Sequence, residues 1–72
     1  MAQLTVQEYD ALERAVRDGL KVSVMRRGTE YVIVPLGLKV RSGKEAIEAQ
    51  NPTTGDPMVI FVDDIESFVV LR

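Results

Sequence analysis

Apolar residues recur at every third or fourth position early in the chain, and at every second position after it. Val6, Tyr9, Leu12, Val16 and Leu20 lay one apolar stripe along an amphipathic helix. Thr5 and Glu8 form the S/T-x-x-E capping pattern, in which each side chain satisfies a free amide of the first turn. Glu13 and Arg17 stand one turn apart on the polar side, acid first. Gly19 sits where a left-handed residue ends a helix. The helix is therefore predicted over about residues 5–18. From Leu20 the period becomes two: Leu20, Val22 and Val24 alternate with Lys21, Ser23 and Met25, the pattern of a half-buried strand.

Turn chemistry divides the remainder. Arg27-Gly28-Thr29 turns the chain into a β-branched run from Glu30. That run bends at Pro35 and Gly37, and Ser42-Gly43 is a tight hairpin signal. The longest loop is Asn51-Pro52-Thr53-Thr54-Gly55-Asp56-Pro57. Asp63-Asp64-Ile65-Glu66 reads as a single helical turn, with Asp63 as its cap and Glu66 three residues on. Strands are predicted over about 20–26, 30–41, 44–50, 58–62 and 67–71. One helix and five short antiparallel strands suit a small, strongly bent barrel, residues 1–72 forming one domain whose helix covers an open end.

The apolar balance adds an expectation about assembly. Tyr31 to Leu38 and Met58 to Val62 are apolar at both parities, and only one parity can fill a barrel. Covering the other through an edge strand or an open face predicts a homo-oligomer.

Composition removes chemistry. The 72 residues are 46% hydrophobic and 28% charged, which is a globular and not a disordered balance. Absence of cysteine excludes thiolate metal sites, disulfides and cysteine catalysis. Absence of histidine removes the commonest general base and the commonest transition-metal ligand. Ser23, Ser42 and Ser67 have no histidine to activate them, and the glycines follow no phosphate-binding spacing. Asp63 and Asp64 are adjacent, project in different directions, and are read as capping residues. No enzyme, cofactor or metal is expected. No apolar run approaches the roughly 18 residues of a membrane span. Met1-Ala2-Gln3-Leu4-Thr5 has no basic or apolar export signature, so a cytoplasmic location is expected.

Charge is uneven along the chain although the net value is only −2. Eight bases lie between Arg14 and Lys44, whereas Glu45 to Leu71 holds acids alone. Lys21, Arg27, Lys39 and Arg41 point outward by strand parity. Together with Arg26 and with Tyr31, the one stacking candidate, they are the candidate contacts to a ligand or nucleic acid. Interleaved strands can equally mix these bases with acids into an ordinary solvated surface, and that outcome is favoured.

The segment from Ala11 to Leu71 resembles the WYL domain, a bacterial module usually attached to helix-turn-helix regulators. The likeness lies in Val16-Arg17-Asp18-Gly19, a strand at Val22–Met25, and Val34-Pro35-Leu36-Gly37-Leu38, which is similar to that family's V-x-P-L-G-L element. Gly43, a strand ending at Ala49, Thr54-Gly55 and Phe61-Val62-Asp63-Asp64-Ile65 come next in the family's order. The resemblance implies a five-stranded SH3/Sm-like barrel. Glu45-Ala46-Ile47 replaces the family's Trp-Tyr-Leu, and Phe61 and Asp64 replace its two arginines. Those arginines serve ligand or nucleic-acid binding, so that role does not transfer. The resemblance leaves the expectation of a non-enzymatic regulatory or interaction module, binding a protein partner or small ligand. The alternative is a nucleic-acid-binding Sm-like protein with a basic patch.

Overall fold

The structure, a computed structural model, describes residues 4–71. Helix α1 runs Val6–Asp18 and is followed by β1 (Val22–Arg26), β2 (Thr29–Arg41), β3 (Lys44–Gln50) and β4 (Pro57–Phe61). A 3-10 turn at Val62–Asp64 leads into β5 (Ile65–Val70). The strands form one antiparallel sheet in the order β4-β3-β2-β1-β5, the five-stranded bent barrel expected.

The helix begins as its sequence dictates. Thr5 Oγ1 accepts from the Glu8 amide at 3.2 Å, and Glu8 Oε1 accepts from the Thr5 amide at 2.8 Å. Gly19 ends it at φ 67°, a conformation that costs a residue with a Cβ. Two sequence expectations are corrected at the helix ends. Val6 is 76% exposed and leaves the stripe; Leu4, which precedes the cap, is buried instead. Leu20 and Lys21 precede the first strand, because the Leu20 amide closes the helix on the Ala15 carbonyl at 2.9 Å.

Two-residue hairpins connect β1 to β2 and β2 to β3. In each, a residue and the following glycine both have positive φ: Arg27 with Gly28, and Ser42 with Gly43. This is the turn whose twist matches antiparallel strands. Between them β2 shifts register at Pro35/Gly37, which ejects Leu36 to 54% exposure and bends the sheet. Leu12, Val22, Val24, Ile33, Ile47, Ile60, Val62 and Ile65 fill the interior. Asn51 organises the β3–β4 loop: its Oδ1 accepts the amides of Thr53 (2.8 Å) and Thr54 (3.1 Å).

The turn before β5 departs from expectation. Phe61, not Asp63, occupies the cap position, and no side-chain cap bond forms. Ile65 is fully buried, so the chain must turn extended there to aim it inward, and Glu66 belongs to β5. The capping pattern is present in the letters, but burial of Ile65 overrides it.

Candidate functional site

The six candidate residues divide between the two sides of the sheet. Lys39 and Arg41 meet on the outer side over a single acid: Lys39 Nζ lies 3.3 Å from Glu48 Oε1, and Arg41 Nη2 lies 2.8 Å from Glu48 Oε2. These two cations, Arg41 foremost, hold the Glu48 carboxyl below its ordinary range. Arg27, on the β1–β2 hairpin, reaches Asp64 at 3.8 Å. Lys44 similarly stands 4.0 Å from Asp63. Glu66 accepts the Gly28 amide at 2.7 Å, so the 3-10 turn and the start of β5 carry acids to the rim where hairpin bases arrive.

Arg26 and Tyr31 form a separate pair, the guanidinium carbon 6.0 Å from the ring centroid. Tyr31 pairs with Val24 and packs against the core, so it belongs to the inner side of the sheet. Lys21 stands apart at the foot of β1, its carbonyl accepting the Leu71 amide at 2.8 Å. Lys21 and Arg26 have no carboxylate partner within 4.0 Å among the described residues.

Where the WYL pattern carries its signature tripeptide, Ala46 and Ile47 are fully buried and Glu45 accepts a hydrogen bond from the Tyr9 hydroxyl. That bond fastens the helix to β3 and raises the Tyr9 pKa, chiefly because ionisation would destroy the donor beside a carboxylate. Asp64, where the pattern has an arginine, puts a negative charge on the rim. Among the described residues no three acids gather as a metal would require.

A different feature occupies the outer side of β5, β1 and β2. The register aligns Val69, Ser23 and Val32 in one row, with Leu71 and Lys21 in the next. Val69 is 61% exposed, while Val32 and Leu71 are near 40%. Two grooves flank the helix. One, of about 400 Å³, lies between α1 and β5 and is lined by Ala11, Arg14, Asp18, Leu20 and Val70. The other, of about 330 Å³, lies between α1 and the β2 bend. Sequence reasoning missed Glu48 as the anchor of two bases, although the signal was available. A two-residue turn at Ser42-Gly43 pairs Arg41 with Lys44, and counting outward brings Glu48 opposite Gly37, diagonal to Lys39.

The fold, one helix and five antiparallel strands in one sheet, is WYL-like. In particular, the chain is similar to proteasome accessory factor B/C (PafBC) of Arthrobacter aurescens. The TM-score is 0.73 at 20% sequence identity, over 94% of this chain and 12% of that one. No family model matches the sequence, and no curated protein matches it either. No helix is long and apolar enough to cross a membrane among the described residues.

Proposed function

We propose that this chain is a small, non-enzymatic, cytoplasmic regulatory or interaction module that works as a homo-oligomer and binds a protein partner or small ligand. The observation that carries this reading is the pair of exposed valines, Val69 and Val32, that flank Ser23 on the outer side of the sheet. Apolar side chains held in register on a rigid sheet gain free energy only when something covers them. The similarity to a proteasome accessory factor supports the same class. Against the nucleic-acid alternative stands the distribution of charge: Arg27, Lys39 and Arg41 each come with a carboxylate. A phosphate backbone approaching them would meet Glu48 and Asp64 as well. The Arg26–Tyr31 pair is the contact we assign to a ligand; Lys21 lies on the opposite side of the sheet.

Native mass spectrometry of the purified chain tests the reading. The expected result is a defined multimer, or a reproducible added mass. Titration of labelled single-stranded DNA and RNA at low salt supplies the opposing arm. Tight binding that collapses steeply with salt would overturn the interaction-module reading in favour of the nucleic-acid one.

A further inference from the structure

We propose that the occupant of this surface is a second copy of the chain, docked antiparallel along the open edge of β5 with Val69 on the two-fold axis. The proposal rests on the interaction-module reading and goes further, naming partner, edge and register.

The edge is defined by its hydrogen bonds. Leu71 donates to the Lys21 carbonyl, so the register makes Ser23–Val69 and Met25–Ser67 hydrogen-bonded pairs too. The backbone groups of Phe68 and Val70 therefore face away from β1. Below them the register shift at Met25/Arg26 breaks the regular run. Two donors and two acceptors remain on a straight edge. An antiparallel copy centred on Val69 satisfies all of them at once, pairing Phe68 with the partner's Val70 and Val70 with the partner's Phe68. Centring on Phe68 would place Val70 against the partner's Glu66, in the irregular part of the strand.

Side chains agree with that register. Ser67-Phe68-Val69-Val70-Leu71 contains no charge, proline or glycine, the devices that normally blunt an edge. Val69 meets its symmetry mate on the outer side, so the two most exposed apolar side chains of β5 cover each other. On the inner side, Phe68 stays packed against its own core and brings only its exposed flank beside the partner's Val70. A stable dimer buries about 800 Å² per subunit, roughly a sixth of the 4653 Å² exposed here. A bare strand edge is narrower than that, so burial of the exposed Val69 and Leu71 side chains on the outer side is part of the proposal.

The test uses the whole chain, which has no native cysteine. Val69 would face its mate as a non-hydrogen-bonded pair, with Cα atoms about 4.5 Å apart, within the span a disulfide bridges. Val69→Cys is expected to form a disulfide-linked dimer under mild oxidation. Ser67→Cys is not, because its mate lies about 13 Å along the strand in this register. Val69→Lys sets two ammonium groups face to face and is expected to weaken the dimer about a hundredfold or more by sedimentation equilibrium. A monomer at every concentration would overturn the proposal. So would a ring of higher order, or a dimer that Val69→Lys leaves unchanged. A monomer that carries a foreign mass, or a dimer through another face, would overturn this inference while sparing the interaction reading; a bare monomer would remove the support for both.

Discussion

The two edges of the sheet differ chiefly where β4 begins, at Pro57. On β4, the ladder bond from the Asn51 amide to the Asp56 carbonyl fixes which residues face outward: Pro57, Val59 and Phe61. Pro57 has no amide to offer, and Asp56 and Asp63 flank the strand with negative charge. On β5 the outward groups belong to Phe68 and Val70, with no charge between Ser67 and Leu71. A chain with two sticky edges would join head to tail and propagate. The pairing proposed through β5 alone closes as a dimer. The outer faces also differ, since Lys39, Arg41 and Glu48 cover the β3 side with ion pairs while Val69 and Val32 stand exposed beside Ser23 on the β5 side.

The two edges should be held equally firmly. Ile60 in β4 is 1% exposed and Ile65 at the start of β5 is fully buried. Ile60→Ala and Ile65→Ala should each cost about 2–5 kcal/mol in urea unfolding. A large loss from one and little from the other would mean that one edge is merely loosely attached.

A smaller effect isolates the edges themselves. Val59 is 40% exposed on the β4 edge, and Val59→Lys adds the same charge there that Val69→Lys adds on β5. The β4 variant is expected to change the dimer dissociation constant less than about twofold, well under 0.5 kcal/mol. Equal weakening by both variants would show that net charge, not the identity of the edge, controls association.

How far the sequence foretells this structure depends on the range of the interaction. The capping pair Thr5 and Glu8, the terminating Gly19, the turn at Ser42-Gly43 and the bend at Pro35–Gly37 are local signals, and each appears as read. The turn after Phe61 fails because Asp63 and Glu66 carry a local capping pattern while Ile65 obeys a distant core. The basic set was legible as composition and not as a site. Parity separates Lys39 and Arg41 from the Arg26–Tyr31 pair, and cross-strand acids then claim Arg27, Lys39 and Arg41. The bond from Tyr9 to Glu45 joins residues 36 apart, beyond anything periodicity reports.

That bond gives the next test, on the helix that spans both halves. The folded Tyr9 pKa lies above the ordinary 10.0, so its contribution is complete below that value and is lost as pH rises through the folded pKa. Tyr9→Phe should therefore lower stability slightly at neutral pH and flatten the loss of stability above about pH 10. Identical alkaline unfolding of both proteins, monitored by circular dichroism, would separate Tyr9 from the alkaline limb.

The smallest effect is expected from Glu48→Gln, and it bears most directly on why the β3 side is not a basic site. The substitution removes the acid shared by Lys39 and Arg41 and takes the net charge from −2 to −1. Both bases are solvent-facing, so the fold should hardly notice at pH 7. Acid tells more. The folded Glu48 pKa is depressed below 4.5, so its contribution is full above that value and disappears as pH falls through the folded pKa. The wild-type urea midpoint should thus fall more between pH 6 and pH 3 than that of the variant. Freed of the carboxylate, Lys39 and Arg41 should also gain weak affinity for a short single-stranded oligonucleotide at low salt. That gain should vanish near 0.15 M, where screening acts within about 8 Å. Unchanged affinity at low salt would mean that Glu48 is not what keeps this face from anions, and the two faces would then differ in apolar content alone.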